Sequence, residues 1–223
     1  MTSILEFQDV SKAFDRGKQK YYALKGINLK IEKNTVNHIL GPSGSGKSTL
    51  LNLASFMDTP TEGAILINGK VASVMSDSQM SQLRREEIGI IYQRDNLLPY
   101  LNILENVMLP MFEKNRENAV QILKKVGIND FNKFPEEISE IDEQKAALSR
   151  ALINNPSLLL ADEPTGELNS SDAGDFMEQL KAAVNNSAVL IVSNNPDIGG
   201  YVDNVYSLKD GVLTENIYKT VIK

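Results

Sequence analysis

The 223-residue chain has no cysteine and a single histidine. The first absence excludes disulfides and thiolate metal sites and fits a reducing compartment. The second leaves His38, in the apolar run "TVNHIL", without another histidine for a metal site or a catalytic triad, so a packing or surface role is expected for it. Long apolar runs are also missing. "SLLLA" and "AVLIV" fall far short of the ~20 residues that span a bilayer, and the start "MTSILEFQDV" lacks the charged beginning and apolar centre of a signal peptide. Any membrane role is therefore expected to pass through a partner. Basic charge is in deficit as well. A net charge of −6 and a pI near 5.0 give no general attraction to nucleic acid or to anionic lipid, and no nucleic-acid partner is expected. No repeat, low-complexity tract or linker divides the chain. With 42% hydrophobic and 23% charged residues, it suits one domain, or one domain with a subdomain, around a substantial core.

What is present has the period of an α/β protein. Alternation in "ILEFQDV" and "LKGINLKI" predicts two early strands joined by the polar loop "DRGKQK". "GAILINGKVA" reads as a hairpin with Asn68-Gly69 at its turn. The runs "TVNHIL", "SLLLA" and "AVLIV" read as buried central strands, each followed by a loop or helix start, which is the pattern of a parallel sheet. Between "IGIIYQ" and "SLLLA" the pattern is mostly helical. It includes "ENAVQILKKVG", with Gly127 suited to a C-cap, and residues 94 to 155 are taken as a helical insertion. "PEEISEIDEQKAALSRAL", residues 135 to 152, reads as a helix capped by Ser139.

Two motifs carry chemistry. "GPSGSGKST" directly follows a strand and precedes the helical "TLLNLAS". Its spacing of Gly, four residues, Gly, Lys and Ser/Thr is that of a phosphate-binding loop. Glycines let successive backbone N–H groups point inward at a β-phosphate, Lys47 brings a positive charge to the β- and γ-phosphates, and Ser48 can ligate Mg²⁺. The candidate phosphate site is thus Gly41, Ser43, Gly44, Ser45, Gly46, Lys47, Ser48 and Thr49. "LLLADEPTGEL" ends an apolar strand with Asp162, placed to hold Mg²⁺ through water, and Glu163, placed to polarise an attacking water. Gln93, taken as ending the strand "IGIIYQ", can bridge the metal and the water. Paired acids at a strand end are often only surface residues, and the phosphate loop is what favours the catalytic reading here.

The ordered set "GPSGSGKST", "IGIIYQRDNLLPYLNILENV", "SRALINNPSLLLADEPTGEL" and "VYSLKDGVL" resembles ATP-binding cassette (ABC) ATPases along nearly the whole chain. "RREEIGIIYQRDNLLPYLNILENVMLP" looks most like the branch serving macrolide, antimicrobial-peptide and lipoprotein export permeases. The resemblance implies an α/β P-loop NTPase fold of ABC type, with a mainly parallel core sheet, an N-terminal antiparallel β-subdomain and an inserted helical subdomain. Residues 1–223 would form one such domain. It implies ATP and Mg²⁺ as ligands, and two subunits that sandwich two ATPs head to tail, as a homodimer or with a second ABC ATPase. An integral-membrane permease would be the further partner, with the chain cytoplasmic on the inner face of the cell membrane. Gln93 matches the family's Q-loop glutamine, Phe14 falls where the family stacks an aromatic on adenine, and Tyr22 is a weaker candidate for that contact.

Three departures stand against this pattern. The family signature Leu-Ser-Gly-Gly-Gln aligns with "ISEID", residues 138 to 142, where Glu140 and Ile141 replace both glycines. By resemblance this helix start faces the γ-phosphate bound on the opposite subunit. One carboxylate at ~5 Å from a phosphate charge costs roughly 3 kcal/mol at an effective dielectric of ~20, before screening, which exceeds the attraction of a helix end, at most ~2 kcal/mol. Asn194 occupies the place of the family's switch histidine, and it can donate a hydrogen bond but cannot take up a proton's charge. Asn169 stands where the family usually has an aspartate. ATP and Mg²⁺ binding are expected to survive, with hydrolysis slow or confined to an asymmetric dimer. The alternative is a hydrolysis-deficient, ATP-dependent regulatory module.

Overall fold

Apolar alternation in the first thirty residues builds a long antiparallel pair. The computed structural model describes residues 3–17, 19–94, 96–183 and 187–216. Lys18 of the expected first loop and Asp95 of the stretch after "IGIIYQ" lie outside them. Strands β1 (Ser3–Arg16) and β2 (Gln19–Glu32) run well beyond the two short segments the alternation marks. Their pairing carries register shifts around Val10 and Lys12, so alternation alone does not tell which face a residue takes in the second half of either strand. β3 (Val36–Leu40) and α1 (Lys47–Ala54) follow. The expected hairpin is β4 (Glu62–Ile67) and β5 (Lys70–Val71), turning at Asn68 and Gly69 with φ of 49° and 74°. Two successive positive φ values are what a two-residue hairpin turn demands. These strands form an antiparallel sheet in the order β2-β1-β4-β5.

After α2 (Asp77–Glu87) come β6 (Ile88–Ile91), the helices α3 (Ile103–Met108), α4 (Arg116–Lys125) and α5 (Glu140–Leu152), then β7 (Leu158–Asp162), α6 (Ser170–Ala183), β8 (Ala188–Ser193), β9 (Asn204–Lys209) and β10 (Val212–Asn216). The second sheet has the order β10-β9-β3-β8-β7-β6 and is parallel except for β10. Its central strands are apolar on both faces because both faces are covered. Leu158, Leu160, Leu190 and Val192 meet α1 and the antiparallel sheet, whereas Leu159, Ala161, Val189 and Ile191 meet the helices on the other side. The expected fold class therefore holds.

Local caps set the helix limits. α4 ends in a Schellman turn: Gly127 at φ 89° donates to Lys124 O, and Ile128 donates to Leu123 O. The segment 135–152 is not one helix. Pro135–Glu137 is a separate 3₁₀ turn, Ile138 and Ser139 are extended, and α5 starts at Glu140, where the Ser139 hydroxyl accepts from Asp142 N at 3.3 Å. β6 likewise stops at Ile91. The Asn96 side chain accepts from Tyr92 N and donates to Tyr92 O, taking the backbone groups that would have continued the ladder. Gln93 thus sits in a bend two residues past the strand rather than at its end.

Candidate functional site

The parallel sheet brings the carboxyl ends of β3, β6, β7 and β8 to one edge, where an α/β sheet offers a ligand crevice. From those ends issue the phosphate loop, Gln93, Asp162 with Glu163, and Asn194. All of them line one open cleft of about 370 Å³.

Within the loop, Ser43, Gly44, Gly46, Lys47, Ser48 and Thr49 line the cleft. Gly46, at φ 108°, caps α1, and a Cβ there would lie 2.6 Å from Ala23 O, so both conformation and space call for glycine. Gly41 and Ser45 lie beneath. A Cβ on Gly41 would meet Leu208 O at 2.4 Å, and the Ser45 hydroxyl is buried without a partner. Lys47 is buried, donates to Gly41 O (2.9 Å) and Pro42 O (3.1 Å), and lies 3.5 Å from Glu163 Oε1.

Glu163 follows β7 with φ 45°. Its backbone N donates to Val192 O (2.8 Å), and its Oε2 accepts from Asn194 N (3.1 Å). The position matched to a switch histidine thus holds Glu163 through its main chain. Burial pushes the Asp162 carboxyl up, more than a hydrogen bond from Ser48 lowers it, with Glu163 raising it further and Lys47 lowering it. Ser48 and Asp162 offer hard oxygen donors side by side, and the Gln93 amide shares the cleft. Mg²⁺ favours such a set, taking one or two carboxylates with substrate phosphates and water. Among the described residues no group of three or more His, Asp or Glu forms a metal cage.

At the outer end of the cleft stand Phe14 and Tyr21, paired across β1 and β2 and both about half exposed. Lys12 lies over the Phe14 ring and Arg16 over that of Tyr21. Tyr22, the weaker candidate for the adenine contact, does not line the cleft. It pairs with Ala13 on the other face, and its hydroxyl points to Glu62 at 3.5 Å. The register shifts hide this in the sequence, although strand period would have linked Tyr21 to Ala23, which also lines the cleft.

Other singled-out residues lie elsewhere. Ser139, Glu140 and Ile141 open α5, away from this cleft. Asn169 accepts from Ser171 N and Asp172 N at the start of α6 and donates to the Asp172 carboxylate. His38 is fully buried in β3. A larger cleft, about 620 Å³, lies between Arg85 and Phe112 and holds no phosphate loop.

Residues 24–166 match the family described as ABC transporter. The chain is similar to the lipoprotein-releasing system ATP-binding protein LolD of Paramagnetospirillum magneticum, with 36% identity over 95% of this chain and 97% of that one. It is 36% identical, over 94% of its length, to 33% of the macrolide export ATP-binding/permease protein MacB of Bdellovibrio bacteriovorus. Among solved structures it is similar to the dimeric ABC transporter cassette MJ0796 of Methanocaldococcus jannaschii. The TM-score is 0.85, with 34% identity over 95% of this chain and 98% of that one.

Proposed function

This chain belongs to the ABC transporter family, and from that premise we propose that it is the ATP-binding subunit of a membrane exporter, hydrolysing ATP slowly or only within an asymmetric dimer. The observation that carries this is the single cleft uniting the phosphate loop, the Ser48–Asp162 pair and Glu163. We take residues 1–223 as one ABC ATPase domain with its helical insertion at about 94–155, a reading supported by the core that α3, α4 and α5 share with the parallel sheet.

In this reading, backbone N–H groups of residues 43–49 and the Lys47 ammonium hold the β- and γ-phosphates, while Phe14 and Tyr21 stack on the adenine. Ser48, Asp162 and Gln93 would hold Mg²⁺, which when bound offsets phosphate charge. Glu163 accepts a proton from the water whose oxygen attacks the γ-phosphorus, as the bond to the β–γ bridging oxygen breaks and ADP leaves. Asn194 holds the Glu163 carboxylate by its N–H and offers the γ-phosphate a side-chain donor, but it cannot store a proton as histidine can. Turnover is slower for that reason.

The LolD and MacB relatives support an export permease as partner, and the MJ0796 dimer supports pairing of two cassettes. No described helix is long and apolar enough to cross a membrane. We place the chain on the cytoplasmic face through the permease. Phe112 is 83% exposed, with Arg85 stacked over its ring beside the larger cleft, an exposed aromatic in polar surroundings that offers such a partner an anchor. In a homodimer every ATP would face Glu140, whereas a second ATPase with glycines there would complete the site built on Lys47 and Glu163. The three acids of the α5 start favour a second reading, an ATP-dependent regulatory module that closes without hydrolysis.

Mg·ATP hydrolysis by the purified chain, alone and with a candidate partner, beside Glu163→Gln, decides between them. Turnover that is slow alone and quickened by the partner, or present only with it, and abolished by Glu163→Gln, is expected. Brisk turnover alone would refute the defective signature. ATP binding without turnover in either setting would favour the regulatory module.

A further inference from the structure

His38 has no part in the reaction outlined above, yet it sits at 0% exposure in the strand that feeds the phosphate loop. Its Nε2 lies 2.8 Å from the Ser193 hydroxyl, and its Nδ1 is buried without a partner. Ser193 in turn occupies a junction. Its carbonyl accepts from Gly41 N, while its hydroxyl accepts from Asn195 N and donates to Asn195 O, both at 3.3 Å. With the hydroxyl proton directed at Asn195 O, the remaining lone pair of Ser193 Oγ takes the Nε2–H of a neutral imidazole. The other tautomer would bury an unpaired Nδ1–H donor, and that costs more than a bare lone pair. Burial first, and the Lys47 charge second, keep the ring neutral.

An apolar residue would fill this space without leaving a buried nitrogen unpaired. What the imidazole adds is the bond to Ser193, and that bond braces a turn whose own hydrogen bonds are long. We propose that His38 is a positioning residue for Glu163: through Ser193 it fixes the 193–195 turn so that the Asn194 N–H stays on the Glu163 carboxylate. The effect on catalysis rests on the reading of Glu163 as the proton acceptor. Lys47 lies 3.5 Å from Glu163 Oε1 and the Asn194 N–H holds Oε2, so once a phosphate draws Lys47 away this backbone donor is what keeps the carboxylate oriented.

Amide hydrogen exchange on the full chain tests the proposal without requiring turnover. Ser193→Ala, which deletes one oxygen, and His38→Ala are each expected to speed exchange at Asn194 and Asn195 about tenfold, the worth of one hydrogen bond. The amides of Leu190 and Ile191 would not change, and His38→Gln, which keeps a side-chain donor, would restore the slow rate. Unchanged exchange at Asn194, or an equal rise along all of β8, would overturn the proposal. In whichever assembly hydrolyses ATP, the same variants should lower kcat about tenfold with little change in KM, as a misplaced base does. Loosened exchange with unaltered kcat would remove Glu163 from its role and leave the positioning intact. Loss of turnover in Glu163→Gln with Asn194 exchange unmoved would overturn the positioning alone.

Discussion

Lys47 directs its ammonium at two loop carbonyls and lies 3.5 Å from Glu163, so a phosphate entering the cleft competes with a carboxylate for one buried cation. Removing that competitor should tighten nucleotide binding even as it removes the proposed base. Glu163→Gln is expected to bind Mg·ATP several-fold more tightly than the natural chain while losing hydrolysis, measured by titration with a fluorescent ATP analogue. Equal or weaker binding would mean that the Lys47–Glu163 pair does not oppose the ligand. His38 gives a second residue-level outcome, through pH. Its pKa falls from 6.5 to about 4 on burial, so between those values the unfolded chain binds a proton that the folded chain refuses. Stability is therefore complete above pH 6.5 and is lost as pH falls toward 4, with a total of roughly 3 kcal/mol. In urea unfolding at pH 7 and pH 5, the natural chain should lose about 2 kcal/mol more than His38→Gln. Parallel losses would show that the folded chain takes up the proton on His38 as readily as the unfolded one.

At the level of elements, α5 is a helix whose start suits itself. The Ser139 hydroxyl caps it, Glu140, Asp142 and Glu143 lie at its positive end, and Lys145 sits 3.8 Å from Asp142. Ser139→Ala should cost about 1 kcal/mol, seen as a lower urea midpoint with an unchanged slope. This helix was legible because cap, first-turn acids and apolar spacing agree, but its start was not: the extended Ile138–Ser139 pair splits 135–152 in two. The same contrast runs through the fold. β3, β7 and β8 are uninterrupted apolar runs, and Asn68-Gly69 has one turn it can make, so local pattern suffices for them. The end of β6 depends on the side chain of Asn96, and the choice of Tyr21 over Tyr22 depends on bulges in the β1–β2 pair. Those are settled by pairing that period alone does not encode. In the cleft, the loop residues, Gln93, Asp162 and Glu163 were legible as motifs because each ends or follows a strand of one parallel sheet, whereas Asn194 was legible only through the family resemblance. The His38–Ser193 bond was not, since its two halves lie 155 residues apart and meet only when β3 and β8 pair.

For the whole molecule, the question is whether two copies close on ATP. Each chain carries a net charge of −6, and head-to-tail pairing would set each α5 start, with Glu140 in its first turn, before a bound phosphate. Two contacts at ~5 Å oppose closure by about 6 kcal/mol at an effective dielectric of ~20, and solvent screening leaves a fraction of that. If screening removes half, the remaining ~3 kcal/mol still weakens dimerisation about 100-fold. Such repulsion has two signatures that poor shape fit lacks. It fades as salt shortens the Debye length from ~10 Å at 0.1 M to ~3 Å at 1 M, and it disappears with the charge. Glu163→Gln, loaded with Mg·ATP, should therefore sediment as a monomer at low salt. Added salt should move it toward dimer, and so should Glu140→Gly with Ile141→Gly, even though those glycines destabilise α5 itself by up to about 1 kcal/mol each. A stable low-salt dimer of the unaltered α5 sequence would show that "ISEID" faces no phosphate. A monomer unmoved by salt and by the glycines would place the obstacle outside residues 138–142, and the case for a second ATPase as partner would then need another basis than charge.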